Sequence, residues 1–275
     1  MLADAHCHPF DLASHFPSAE NERRNMGVIC ASSATTLEEF EYCGQLAAEA
    51  KNAGAAPILP CFAVHPQYVI NRAGDAGLGA LHMLASQGRL SAVGETGFDL
   101  YNAEFRAAEK IQEQLFEDHL AVALKYDLPV VVHARRAMHK IFAYAPYLKK
   151  CRAVIFHSWP GTAGEGGALL RRGINAFFSF GAIIMLNHRE AMRCCSVFPA
   201  NRLLTETDAP FQPPRGRAFS RYADLPDILA AMAALRAAQR AALRSDAACS
   251  EAGNLEKIIE ENFRLGYSVP RFATE

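Results

Sequence analysis

Two histidines separated by one residue lie at the end of the first apolar run of the chain and just after it. The run is Leu2–His6, and Cys7, His8 and Pro9 follow it. Alternate side chains of a β-strand point to the same face, so we expect His6 and His8 to lie side by side while Cys7 points away. Neutral imidazole binds Zn²⁺, Mn²⁺, Fe²⁺ and similar ions. The pair therefore predicts half of a metal site, the alternative being a surface His-X-His without a role.

Further metal-capable side chains stand at or near the carboxyl ends of later apolar runs. They are His65, Glu95, His133, His157 and Asp208. Taken singly, each has an ordinary explanation as a turn, loop or core residue. One fold that brings all the strand ends to the same face explains every position at once. Imidazole and carboxylate ligands without cysteine favour a binuclear site with a bridging carboxylate.

The elements that must position these residues are eight short apolar runs. The runs are Leu2–His6, Met26–Ser32, Pro57–His65, Leu90–Gly97, Pro129–His133, Ala153–His157, Asn175–Gly181 and Arg202–Asp208. Continuous apolar runs are typical of parallel strands buried on both faces, and eight of them predict a (β/α)₈ TIM barrel with its site at the carboxyl-end face. An open doubly wound sheet would use the same elements, but it usually carries a glycine-rich phosphate loop after its first strand.

Segments with helical period separate several of these runs, and two more follow the last one. They are Thr36–Lys51, Ala103–Tyr126, Met138–Lys149, Arg189–Phe198, Leu225–Leu243 and Asn254–Leu265. A loop is predicted over Ser245–Gly253, between the last two helices. No linker or composition break divides the chain, so we expect a single domain over residues 1–275.

Composition sets broad limits on function. The 275 residues are 51% hydrophobic and carry a formal net charge of -1, which excludes a protein coated in basic surface but not an enzyme with one local basic patch. Eight cysteines without a Cys-X-X-Cys pair indicate reduced, buried thiols. The sequence shows neither a basic-then-apolar leader nor an apolar segment of membrane-spanning length. We therefore expect a cytoplasmic protein.

Several segments together resemble the motifs of the TatD family of metal-dependent hydrolases, within the amidohydrolase-like TIM barrels. Five carry the resemblance: Asp4-Ala5-His6-Cys7-His8, Val64-His65-Pro66, Gly94-Glu95-Thr96-Gly97-Phe98-Asp99, Pro129-Val130-Val131-Val132-His133 and Glu206-Thr207-Asp208-Ala209-Pro210. Phe156-His157-Ser158-Trp159-Pro160-Gly161 is similar to the sixth-strand histidine motif, with altered flanks. The resemblance extends from Asp4 to Leu265.

The resemblance implies a site for two divalent ions, which would be Mg²⁺, Mn²⁺, Zn²⁺ or Fe²⁺. The implied ligands are His6, His8 and Asp208 for one ion, His133 and His157 for the other, and Glu95 as the bridge between them. Paired cations ~4 Å apart lower the pKa of a shared water and clamp both oxygens of an in-line phosphoryl displacement.

Other implied roles concern the substrate and the attacking water. His65 would contact the substrate phosphate rather than a metal. Asp208, together with the bridging Glu95, would be catalytic, because Asp208 is placed both to bind a metal and to orient or deprotonate the water. Asp4 shares the histidines' strand face and is expected to support the ligands through hydrogen bonds.

The family implies deoxyribonuclease activity, often exonucleolytic, on DNA with accessible single-stranded ends. The loop over residues 213–222 supplies three arginines and two aromatic residues: Arg215, Arg217, Arg221, Phe219 and Tyr222. Guanidinium groups suit phosphate and aromatic rings stack on bases, so we predict substrate contacts from Arg215 and Arg217 and base stacking by Phe219 or Tyr222. Arg135, just after His133, is a further predicted contact. The alternative is a solvated basic loop.

The chain departs from the family pattern at two places near this predicted mouth. Ser220-Arg221-Tyr222 stands where family members commonly have Asn-Glu-Pro, and Arg136 replaces an acid that follows the fifth-strand histidine. Both changes add positive charge and leave the implied metal ligands intact.

Two other functions are compatible with the same ligands. One is a metal-dependent hydrolase of a small ester, amide or lactone, although such a substrate would favour an enclosed pocket. The other is a TatD-like subunit of a multiprotein assembly acting on nucleic acid, in which the site is vestigial.

Overall fold

Eight parallel strands form one sheet in the order in which they occur along the chain. A computed structural model describes residues 1–68, 74–242 and 251–269. The strands are β1 (Ala3–Cys7), β2 (Ile29–Ala34), β3 (Ile58–Phe62), β4 (Ala92–Asp99), β5 (Val130–Arg135), β6 (Val154–Phe156), β7 (Ala176–Phe180) and β8 (Leu203–Thr205). Each overlaps one of the eight predicted runs, with boundaries that differ by a few residues.

Hydrogen bonds from β8 and from the segment after it to β1 bring the two edges of the sheet together. Thr205 Oγ1 donates to the Ala3 carbonyl at 2.6 Å. Beyond β8, the Asp208 N–H donates to the His6 carbonyl at 2.9 Å. The predicted (β/α)₈ barrel is therefore confirmed, and the closure brings the end of β8 beside the histidines that follow β1.

Helices connect the strands on the outside of the barrel. They are α1 (Pro9–His15), α2 (Ala19–Met26), α3 (Leu37–Asn52), α4 (Gly74–Ser86), α5 (Ala103–Ala107), α6 (Glu109–Lys125), α7 (Met138–Ala143), α8 (Ala145–Leu148), α9 (Ala163–Arg171), α10 (Arg189–Val197), α11 (Leu225–Ala242) and α12 (Glu251–Tyr267). Short 3₁₀ turns occupy Ala182–Met185, Ala200–Arg202 and Tyr222–Asp224. Within the described residues, no helix is both long enough and apolar enough to cross a membrane.

Two of the predicted helices are each divided in two in the structure. The segment Ala103–Tyr126 is interrupted at Ala108, because α5 is a short separate helix capped by the Asn102 side chain, which accepts from Phe105 N–H at 2.8 Å. The segment Met138–Lys149 is interrupted at Tyr144, and Pro146 lies in the first turn of the helix that follows.

The predicted loop over Ser245–Gly253 falls mostly outside the described residues, as does Leu243 at the end of the preceding predicted helix. The last three positions of this predicted loop, 251–253, are helical, so α12 begins before the predicted start at Asn254. At its other end α12 reaches Tyr267, whose buried hydroxyl donates to the Ala5 carbonyl of β1 at 2.6 Å. The last helix thus fastens the strand that carries the His6–His8 pair.

A buried histidine on α6 fixes the chain just before His65. The Val64 N–H donates to His119 Nε2 at 3.0 Å, so the proton of the neutral ring lies on Nδ1 and is donated to the Leu115 carbonyl. Burial lowers the pKa of His119 to about 4, because it deprives the charged form of the ring of its hydration.

His119 is expected to make the fold sensitive to acid. Its unfolded pKa is near 6.5, so its contribution is complete above that pH and is lost as the pH falls towards 4, by about 3 kcal/mol of unfolding free energy. Urea unfolding at several pH values should show a flatter profile for His119→Gln than for the unchanged protein. His139→Gln, at an exposed position of α7, is the matched control. Identical profiles for His119→Gln and the unchanged protein would contradict this assignment.

Candidate metal centre

The buried carboxylate of Glu95 stands among four histidines, two on strands β1 and β5 and two in the segments that follow β3 and β6. Its Oε2 lies 3.1 Å from His6 Nε2. Its Oε1 lies 2.6 Å from His133 Nδ1 and 3.3 Å from His65 Nε2. His157 Nε2 is 3.5 Å from the same oxygen. Each Glu95 oxygen therefore faces a different set of imidazole nitrogens, which is the arrangement that a bridging carboxylate needs.

A second group of potential metal ligands adjoins the group around Glu95 and shares His6 with it. His6 Nε2 and His8 Nε2 are 3.1 Å apart. Asp208 Oδ1 lies 3.4 Å from His8 Nε2 and 3.6 Å from His6 Nε2. Cys7 points away, with its Sγ 3.5 Å from the Ala31 carbonyl. Alternation along the first strand places both imidazoles in the site, as expected, and excludes the thiol.

The potential ligand atoms form three overlapping trios, and within each trio they lie within 4.8 Å of one another. The trios are His6, His8 and Asp208; His6, Glu95 and His157; and His65, Glu95 and His133. The resemblance implies a different partition, with His133 and His157 on one ion and His65 on the substrate. In the structure His157 groups with His6, and His65 rather than His157 groups with His133.

Two glycines of β4 allow Glu95 to reach His133. A Cβ on Gly97 would lie 2.1 Å from the His133 carbonyl oxygen, and one on Gly94 would lie 2.4 Å from Val131 Cβ. Gly97 also has φ 136°, which a residue with a side chain rarely adopts. Strands β4 and β5 approach so closely because both positions lack a side chain.

Asp4 organises the junction of the first and last strands. It is fully buried and accepts hydrogen bonds from Thr207 N–H at 2.9 Å and Thr207 Oγ1 at 2.6 Å. Burial raises the pKa of Asp4 to about 7, against the opposing effect of the Thr207 hydrogen bonds. Asp208, which directly follows Thr207, has φ 55°, a left-handed conformation uncommon outside glycine. Through these hydrogen bonds Asp4, on the strand that carries His6, holds the backbone next to Asp208 in place.

Two carboxylates that had no assigned role hold the outer sides of the histidine rings. Asp99 Oδ2 lies 3.2 Å from His133 Nε2 and accepts from Gln67 Nε2 at 2.6 Å. Glu206 Oε2 lies 3.2 Å from His157 Nδ1. Such partners fix the ring orientation and the tautomer of a metal-binding histidine. The sequence carried a signal for both, since Asp99 shares strand parity with Glu95 and Glu206 with Asp208.

The charges of the site suit a divalent cation. Burial alone would raise the pKa of Glu95, but the surrounding histidines hold it well below its ordinary value. Burial likewise opposes ionisation of Asp208, yet the neighbouring histidines, His157 foremost, lower its pKa. Both carboxylates are therefore ionised at neutral pH. A buried cluster with ionised carboxylates, several imidazoles and no thiol matches the donor preferences of Mn²⁺, Fe²⁺ and Zn²⁺.

The predicted substrate-binding loop is partly neutralised by acids. Arg217 Nη1 lies 2.9 Å from Asp224 Oδ1, and Arg221 Nη2 lies 2.8 Å from Glu22 Oε2. Arg215 is exposed. At the other predicted contact, the Arg135 guanidinium lies over the Tyr101 ring, 3.7 Å from its centroid.

The aromatic residues of that loop pack into the protein. Tyr222 is only 1% exposed, and its hydroxyl lies 3.7 Å from Cys7 Sγ. The prediction that Tyr222 offers a stacking surface is therefore wrong, because the ring belongs to the apolar layer outside β1. Phe219 is partly buried and stacks on His15, with ring centroids 5.8 Å apart.

A parallel eight-stranded barrel whose strand ends gather ionised carboxylates and imidazoles defines a metal-binding TIM barrel. The TatD related DNase family matches residues 3–268, and the chain belongs to that family.

Two named relatives are 34% and 28% identical to this chain over the segments that align with it. The 3'-5' ssDNA/RNA exonuclease TatD of Erwinia tasmaniensis is 34% identical over 155 residues, which are 55% of this chain and 58% of the relative. That of Cronobacter turicensis is 28% identical over 212 residues, or 75% and 80%. The chain thus matches little more than half the length of the first relative. The crystal structure of a TatD homologue from Escherichia coli has a TM-score of 0.81 at 24% identity, covering 98% of both chains, and shares the fold.

Replacing Gly97 with alanine should damage the fold and the site together. The new Cβ meets a backbone oxygen and a strained φ, so we expect a loss of about 2 kcal/mol or more in unfolding free energy and fewer metal equivalents per chain. Urea unfolding and elemental analysis of the purified protein measure both. Gly79→Ala, on α4 with no heavy atom near the added methyl, should instead gain about 1 kcal/mol. Unchanged stability of Gly97→Ala would contradict the close approach of β4 and β5.

Proposed function

We propose that this protein is a divalent-metal-dependent phosphodiesterase of the cytoplasm that removes nucleotides from accessible single-stranded ends of DNA. The observation that carries the proposal is the sharing of Glu95 and His6 among three adjoining donor trios. The printed names of the relatives, single-stranded DNA and RNA exonucleases, favour a nucleic-acid substrate.

Two divalent ions per chain, Mg²⁺, Mn²⁺, Zn²⁺ or Fe²⁺, fit this donor set. The ligands that we propose are His6, His8, Glu95, His133, His157 and Asp208. When bound, such a pair supplies an activated water and neutralises the oxygens of an in-line phosphoryl displacement.

The side chains around these ligands suit the remaining tasks. Asp208 Oδ2 accepts a hydrogen bond from Gln212 Nε2 at 2.7 Å while Oδ1 faces the histidines, so the carboxylate is held with one oxygen towards each side. Because Asp208 is ionised, it can orient the attacking water and accept its proton. His65 is buried and its Nε2 faces the centre of the site, where it can donate to a phosphate oxygen.

Positively charged side chains at the mouth provide the remaining substrate contacts. We propose that Arg135, Arg215 and Arg217 bind phosphates of the strand. Of these, Arg217 would have to share its guanidinium with Asp224. A mouth of this kind suits a polyanion better than a small neutral ester.

Activity on a 5'-labelled oligonucleotide in Mn²⁺ tests the proposal. We expect stepwise nucleotide release that EDTA abolishes, and a loss of about 10³-fold, or ~4 kcal/mol, in Glu95→Gln and Asp208→Asn. Glu49→Gln and Asp127→Asn are matched controls, since both side chains are exposed and lie beyond the opposite ends of the strands. Release that persists in EDTA would contradict the proposal. Hydrolysis of small esters without any release from DNA would favour the alternative substrate class.

A further inference from the structure

Three arginines converge on one exposed tyrosine beside the metal centre. Tyr101 is 44% exposed. The guanidinium carbons of Arg135 and Arg136 lie 3.7 Å and 4.6 Å from the centroid of its ring. Arg106 Nη1 and Arg136 Nη1 each donate to the Tyr101 carbonyl at 3.2 Å. We call Tyr101, Arg106, Arg135 and Arg136 the Tyr101 platform.

The charge of the Tyr101 platform is not neutralised by contacts. Its three guanidinium groups, all on exposed residues, contact carbonyl oxygens and an aromatic ring, and none forms an ion pair with a carboxylate within residues 1–68, 74–242 and 251–269. Arg217 and Arg221 of the opposite loop do have carboxylate partners. The platform is therefore the better anion-binding surface of the two.

The Asp99 carboxylate joins the Tyr101 platform to the metal centre. Tyr101 N–H donates to Asp99 Oδ1 at 2.9 Å, while Asp99 Oδ2 lies 3.2 Å from His133 Nε2. On β5, Arg135 follows His133 by two residues, or about 7 Å along a strand, and pairs with Asp99 of β4. A nucleic-acid strand with a phosphate at the metal centre would thus meet the Tyr101 platform immediately beyond that phosphate.

We propose that the Tyr101 platform binds the nucleotides of a single strand that adjoin the phosphate held at the metal centre. Phosphate oxygens accept hydrogen bonds from the arginine N–H groups, and an unpaired base stacks on the tyrosine ring and guanidinium planes. Paired bases in a duplex are not free to stack in this way. The inference rests on the proposed function, because it takes the strand at the metal centre to be a nucleic acid.

Binding of fluorescent oligothymidylate, measured by anisotropy in EDTA, tests the platform without hydrolysis. Tyr101→Ala should weaken binding about tenfold, the effect of losing one stacked base, and Tyr101→Phe should restore it. Arg136→Ala should lower the slope of log K against log salt by about 0.7, as expected for one phosphate contact to a single strand. Thermal melting checks that each variant is folded.

Arg172→Ala is the matched control, because Arg172 is also an exposed arginine over an aromatic ring, that of Phe142, but follows α9 at the far end of the barrel. It should bind as the unchanged protein does. If Tyr101→Ala and Arg136→Ala also bind oligothymidylate as the unchanged protein does, the platform is refuted even where the protein degrades DNA. If Tyr101→Ala and Arg136→Ala both weaken binding while the unchanged protein shows no nuclease activity, the platform stands and the proposed phosphodiesterase fails.

Discussion

The arrangement of the site depends on one buried carboxylate, that of Glu95, which four histidines share. Glu95 sits at the centre of imidazoles contributed by β1, β5 and the segments that follow β3 and β6, with each oxygen facing its own nitrogens. A buried carboxylate without such neighbours would cost several kcal/mol and would bind a proton instead. The histidines hold it ionised, and the same arrangement makes it available to cations.

Neighbouring strands supply the precision that this sharing requires. Gly94 and Gly97 bring β4 against β5, and Asp4 ties the segment before Asp208 to β1. Asp99 and Glu206 then hold His133 and His157 from outside. The buried polar groups of the barrel mouth thus form a connected set in which the outer members orient the inner ones. Asp99 extends that set to Tyr101 at the surface.

Much of this architecture follows from the sequence, because strand period and strand ends are local properties. The runs ending near His6, Glu95 and His133 predict both the barrel and the face where the donors meet. Contacts between distant residues are not local, so the pairing of Arg221 with Glu22 and the burial of Tyr222 against Cys7 were not predictable. Glu206 was within reach of sequence reasoning through strand parity, whereas the stacking of Arg135 on Tyr101 depends on the register of two strands.

We propose that Glu95 bridges two divalent ions, and anomalous diffraction from crystals soaked in Mn²⁺ measures this most directly. A bridging Glu95 predicts two anomalous peaks roughly 4 Å apart, with one oxygen of Glu95 about 2.2 Å from each. A single peak, or two peaks neither of which is coordinated by Glu95, would contradict it.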